Sequence, residues 1–168
     1  MNLYVVSVPI FVKMLGNLKG ILAKGKAFAE EQGIAEAELL EARLAPDMFP
    51  LKRQVQIASD AAKGIAAGLA GVERPVMEDT EGTFAELMER CDKTIAFLET
   101  LKPEQFEGAE TKSLPFPYVE GKVMTGEETL LQSNLPNFFF HVTTAYDILR
   151  HKGVQLGKND YIGTLPLK

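Results

Sequence analysis

The chain has 168 residues, 46% of them hydrophobic and 24% charged, which suits one ordinary domain over 1–168, large enough to bury a core. Its net charge of −5 and pI near 5.2, with Lys and Arg scattered among acids, argue against a phosphate-tracking surface, so nucleic acid is not an expected partner. The single cysteine, Cys91, cannot close an internal disulfide and fits a reducing, cytoplasmic setting.

The N-terminal run LYVVSVPIFV has no basic lead-in, is followed by Lys13 and is too short to span a bilayer, so no membrane association is expected. A helix is predicted from Ser7, a suitable N-cap, with Pro9 tolerated in the first turn. Ile10, Met14, Leu15, Leu18, Ile21 and Leu22 recur along it at helical spacing until Gly33. The acidic piece AEAELLEARLAPDM supports one or two helical turns before Pro46. Asp47 is placed to cap a second long helix, in which Leu51, Val55, Ala58, Ala62, Ile65, Ala66 and Leu69 recur until Gly71. Its alanines would let a neighbouring helix approach closely.

After the linker GVERPVMEDTEG, Thr83 and Glu86 form a capping box for a third helix. Its stripe is Phe84, Leu87, Met88, Cys91, Ile95, Leu98 and Leu101, closed by Pro103. Leu114, Phe116 and Tyr118 alternate before a turn at Glu120-Gly121, which predicts a small hairpin or extended flap over 113–124. Helical pattern resumes at Glu127, passes Pro136 with a kink and runs to Gly153; the last fifteen residues read as an extended tail. The expected architecture is all-α: an antiparallel four-helix bundle with a small extended flap before the last helix.

Both histidines fall in the fourth helix. They lie ten residues apart, roughly 15 Å along the axis and on faces some 80° apart, so they cannot share a metal. His151 in Arg150-His151-Lys152-Gly153 suits the electrostatics of a helix C-terminus. His141 sits among Phe138, Phe139, Phe140, Val142 and Ala145, where a buried imidazole needs a partner. That partner is a backbone carbonyl or tyrosine of the core, or else a ligand shared with Asn137, its i−4 neighbour. Cys91 belongs to an apolar stripe and is expected to be inert. Asp47 is a helix cap or a pocket acid, Asp60 is on a different face from Gln54, and Tyr146 with the LGKNDYIG tail forms a binding loop or simply docks over a bundle end. The phenylalanine run exceeds what one core face requires, so a homodimer is expected.

DMFPLKRQVQIASDAAKG (47–64) and NFFFHVTTAYDILRHKGVQLGKNDYIG (137–163) closely resemble the DUF1993 family, placed within the DinB/YfiT-like superfamily of metalloenzyme-like proteins. The resemblance implies an up-down-down-up four-helix bundle, commonly dimeric. It also implies a divalent metal held by one histidine early in the second helix and an HxxxH pair on the fourth. Here those positions fall on Gln54, Asn137 and His141. Amide oxygens are weak ligands for Zn²⁺ or Ni²⁺, so no cofactor is expected beyond a weakly held divalent metal. The favoured expectation is a degenerate metal site serving as a small-molecule pocket, with Gln54, Asn137, His141, Asp47 and Tyr146 as its candidate residues. The alternatives are a metal- or thiol-dependent transferase or hydrolase using His141, and a protein-interaction module using the flap.

Overall fold

The computed structural model describes residues 2–116 and 119–168. Tyr118, the last member of the alternation, lies outside them. In chain order the elements are α1 (Val8–Gln32), α2 (Glu36–Leu40), α3 (Leu51–Ala70), α4 (Phe84–Thr100), two 3₁₀ turns (Pro103–Phe106 and Ala109–Thr111), β1 (Ser113–Pro115), β2 (Val123–Thr125), α5 (Gly126–Glu128), a π-helical stretch (Thr129–Asn134), α6 (Leu135–His151) and α7 (Lys158–Ile162). The described residues are therefore mostly helical, with one two-stranded antiparallel sheet. No helix among the described residues is long and apolar enough to cross a membrane.

Ser7 occupies the N-cap of α1, but its hydroxyl donates back to the Leu3 carbonyl at 2.6 Å and does not cap the helix. Gly33, at φ 65°, ends α1, and the Ile34 amide closes on the Ala29 carbonyl. The predicted Asp47 cap is corrected: Asp47 is exposed in a turn, and Pro50 holds the N-cap of α3. A proline drives the residue before it out of helical conformation, so Phe49 cannot be helical, and Pro50 is itself extended at ψ 166°. The first helical amide, Leu51 N–H, is satisfied by the Ala42 carbonyl at 2.9 Å. At the other end Gly71 takes φ 71°, and Lys112 Nζ donates to the Gly68 carbonyl.

α3 is buried on two sides, with Ala58, Ala62 and Ala66 at its contacts. It meets α4 through the Ser59–Thr94 hydroxyl pair at 2.8 Å and Asp60–Arg90 at 2.8 Å. It meets the π-helical stretch that leads into α6 through Asn134 Nδ2 donating to the Ala61 carbonyl at 3.1 Å. α1 lies against α4 through Lys19–Asp92, and against α6 through an edge-to-face pair of Phe11 and Phe138 at 4.8 Å.

The N-cap of α4 forms as expected, with Thr83 Oγ1 accepting from Glu86 N–H at 3.2 Å, while the return bond of the box shifts by one residue: the Glu86 carboxylate accepts from Gly82 N–H at 2.7 Å. The Gly82 N–H and the Thr83 hydroxyl, both donating to that carboxylate, hold it below its ordinary value. β1 and β2 pair antiparallel with Leu114 opposite Met124. The last long segment begins at Gly126, where Thr125 and Glu128 cap each other. The proline ahead is absorbed by the π-helical stretch Thr129–Asn134, which widens the turn where Pro136 has no N–H to give and its ring would crowd the carbonyl four residues back.

The extended tail is also corrected. Lys158–Ile162 form one helical turn docked on α1, with Lys24 bonded to Asp160 at 2.7 Å and Asn17 Nδ2 donating to the Tyr161 carbonyl at 2.8 Å.

Two glycines should respond oppositely to alanine. A Cβ at Gly126 would lie 1.9 Å from the Ala109 carbonyl oxygen and 2.8 Å from Leu69 Cδ2; Gly126→Ala should cost about 2 kcal/mol or more. Gly16, inside α1 with nothing within 4 Å of its Cβ position, should gain about 0.5–1 kcal/mol as Gly16→Ala. Urea denaturation midpoints of the two variants check both signs.

Candidate functional site

Where α3 begins and the middle of α6 passes it, two polar side chains meet inside an otherwise apolar contact. Gln54 is 1% exposed and His141 is 7% exposed. Gln54 Nε2 donates to the Phe49 carbonyl at 2.9 Å, and Gln54 Oε1 lies 2.6 Å from His141 Nδ1. The first bond orients the second. Only an amide N–H can face a carbonyl, so the Gln54 oxygen must face the imidazole, and an oxygen acceptor requires the proton on Nδ1. His141 is thereby held as the Nδ1–H tautomer, with its lone pair on Nε2.

Among the described residues no group bonds Nε2. Among the described residues the fully enclosed polar side-chain atoms without a partner are Arg90 Nε and Asn134 Oδ1; Nε2 is not one of them, and His141 as a whole is 7% exposed. Burial, and secondarily the positive charge of Arg53, lower the imidazole from 6.5 to about 4. At neutral pH the ring is an uncharged acceptor. Phe140 stands edge-on to it at 5.1 Å and 87°.

Of the five residues proposed from sequence, the structure brings together Gln54 and His141. Asn137 is exposed and makes no hydrogen bond among the described residues. The physical reason is rotation: four residues advance about 400° around a helix, so Asn137 sits about 40° from His141, and His141 already lies at the edge of the buried face. Asp47 is exposed in its turn. Tyr146 lies elsewhere, edge-on to Tyr161 at 6.1 Å, beside a cavity of about 190 Å³ shared with Thr143, Asp147 and Lys158. The polar trio expected around one pocket is therefore a pair.

The metal that the resemblance implies does not fit these residues. Both ends of the Gln54 amide are committed, one to Phe49 and one to His141, which leaves a single imidazole nitrogen as donor. Among the described residues no group of three or more His, Cys, Asp or Glu could hold a metal ion. Cys91 offers no thiolate, since burial pushes it up to about 12.

Sequence reasoning missed an ionic network on the other side of α3. Arg90, with its side chain 1% exposed, donates to Glu81 at 2.8 Å, to Asp60 at 2.8 Å and to the Glu78 carbonyl at 3.2 Å, and pairs with Asp79 at 3.0 Å. Lys63 and Arg53 extend it through Asp60 and Asp79. It pins the linker 72–83 over α3 and α4 beside a cavity of about 550 Å³. The available signal was Arg90 at i+3 from Leu87 and i−4 from Thr94, a charge in the register of a buried stripe.

A model of DUF1993, a domain of unknown function, matches residues 3–162. The crystal structure of a DinB family member protein from Shewanella denitrificans is similar to this chain with a TM-score of 0.95 and 45% identity, covering 99% of this chain and 94% of that one. No curated protein matches.

The buried imidazole makes stability depend on pH. His141 accepts its proton at about 4 when folded and near 6.5 when unfolded. As pH falls from about 6.5 to about 4 the unfolded chain gains a proton that the fold refuses, and stability should drop by on the order of 2–3 kcal/mol. His141→Gln should flatten that part of the curve, as read by denaturation at a series of pH values.

Proposed function

The chain belongs to the DUF1993 family, and from that premise we propose that it is a metal-free, ligand-binding DinB-like domain whose working group is the neutral imidazole of His141. We read its four long helices as an antiparallel bundle of up-down-down-up order. The pairs Lys19–Asp92, Phe11–Phe138, Asp60–Arg90 and Asn134–Ala61 support that reading. Gln54 before Ala61 on α3 meets His141 after Asn134 on the last long segment, so these two run antiparallel as that order requires.

One observation carries the functional reading: the Phe49–Gln54–His141 hydrogen-bond relay. A relay of this kind is how proteins orient an imidazole, by bonding one nitrogen so that the other is presented. In a metal centre the presented nitrogen would be one ligand of several. Here it stands alone, and it serves as a hydrogen-bond acceptor for a small molecule.

The same relay weighs against proton abstraction. A general base works best with its pKa near the operating pH. His141 at about 4 is neutral in the cell but too weakly basic to drive deprotonation of ordinary groups. A thiol mechanism within the chain has no support from Cys91, which is buried in the core. Acceptance of a hydrogen bond needs only the lone pair, and that is present.

Purified protein should carry zinc and nickel far below stoichiometric amounts by elemental analysis, and equally so after His141→Gln. Stoichiometric metal lost in that variant would overturn the proposal. Gln54→Leu removes the oxygen that holds the Nδ1 proton, so the His141 ring should lose its single tautomer, as read by long-range ¹H–¹⁵N correlation.

A further inference from the structure

A second cavity, apart from His141, opens where α7 and α6 meet. It holds about 190 Å³ and is lined by Thr143, Tyr146, Asp147, Lys158 and Tyr161. The tail that supplies the last two of these is fixed in place. Lys24 bonds Asp160 at 2.7 Å, Asn17 Nδ2 donates to the Tyr161 carbonyl at 2.8 Å, and the Asp160 carboxylate accepts from Gly157 N–H at 2.9 Å. Gly163, at φ 67°, passes so close to Asn17 that a Cβ there would collide with the Asn17 amide. On the α6 side Thr143 Oγ1 donates to the Tyr161 hydroxyl oxygen at 2.9 Å, and the Tyr146 and Tyr161 rings meet edge to face at 6.1 Å and 77°.

The two charges of this cavity are not paired with each other. Neither the Asp147 carboxylate nor the Lys158 ammonium has a hydrogen bond or an ion pair among the described residues. Burial holds the Asp147 carboxyl above its ordinary value, and among the described residues no basic group offsets that effect.

We propose that this cavity binds a free α-amino acid with a small apolar side chain: its ammonium donates to Asp147, its carboxylate accepts from Lys158, and its side chain packs in the corner between Tyr146 and Tyr161.

The lining selects that class. A lone anion would meet the like charge of Asp147 and a lone cation that of Lys158, whereas a zwitterion offers each group its opposite. An ionised Asp147 only accepts, so the cationic end of the ligand must carry N–H, which a quaternary ammonium lacks. Because Thr143 is the donor in its bond to Tyr161, the Tyr161 O–H is left to donate and can join Lys158 on a carboxylate. The ring pair supplies apolar surface for an aliphatic group. Size sets the last limit. At about 30 Å³ per water a cavity of about 190 Å³ has room for roughly six, well below the roughly 300 Å³ at which drug-sized sites begin. Valine, small and branched, meets all of these conditions.

The test is a titration of the ¹⁵N-labelled full chain with L-valine, isovalerate and isobutylamine, followed by amide NMR. The two analogues keep the branched body; the first lacks the ammonium and the second the carboxylate. L-valine should shift the Thr143, Asp147 and Lys158 amide resonances saturably, and each analogue should bind roughly tenfold more weakly, as loss of one charge-assisted hydrogen bond requires. Asp147 and Lys158 are exposed, so Asp147→Asn and Lys158→Gln should keep the fold, and the same spectra verify it. Asp147→Asn should weaken L-valine roughly tenfold and isovalerate not at all; Lys158→Gln should weaken L-valine as much and isobutylamine not at all. A merely structural defect would not produce that crossed pattern. No saturable response to L-valine, equal binding of either analogue, or unchanged L-valine binding in either variant would overturn the proposal. His141 takes no part in this cavity, so the proposal and the reading of the imidazole stand or fall separately.

Discussion

A glutamine amide sealed between two helices has to spend both of its ends, and Gln54 does. Its N–H goes to the Phe49 carbonyl just outside α3, and its oxygen goes to His141 on α6. An amide left unpaired at 1% exposure would cost about 1–3 kcal/mol, so the arrangement is enforced by burial and not merely permitted. Three properties follow from it: the tautomer of His141, the outward direction of its lone pair, and the absence of a spare oxygen for a metal. The relay also ties the turn before α3 to the middle of α6, so the packing of these two helices and the chemistry of the imidazole are one constraint.

The helical architecture was legible because it rests on patterns with local physics behind them. The stripe Leu15, Leu18, Ile21, Leu22 is buried as its spacing requires, and Thr83 caps α4 through Glu86 N–H, with the Glu86 carboxylate reaching one residue further back to Gly82 N–H. The alanines of α3 do admit neighbours on two sides. The misses have physical causes of the same kind. Asp47 was preferred as a cap on side-chain chemistry, but Pro50 decides where α3 starts because it constrains the residue before it and already presents a carbonyl to Gln54 N–H at 3.1 Å. The turn at Lys158–Ile162 is hard to tell from an extended tail because five residues give little periodicity; its signal is Asp160 three residues after Gly157, whose amide it bonds at 2.9 Å.

The candidate site was legible in half. The resemblance to DinB/YfiT-like proteins implies Gln54, Asn137 and His141, and the two that meet across α3 and α6 are Gln54 and His141. Asn137 escaped because burial around a helix ends within a few tens of degrees, which residue spacing alone does not resolve. Likewise the Arg90 network depends on the path of the linker 72–83, whose acids Asp79 and Glu81 return over α3; no periodicity encodes that path. Arg53 joins the two regions, bonded to Asp79 on one side and lowering the His141 pKa on the other.

The position of one hydrogen atom tests all of this most directly. Neutron diffraction from deuterated crystals at neutral pH should find deuterium on His141 Nδ1, aimed at Gln54 Oε1, and none on Nε2. Deuterium on Nε2, or a metal ion seated against that nitrogen, would contradict the account.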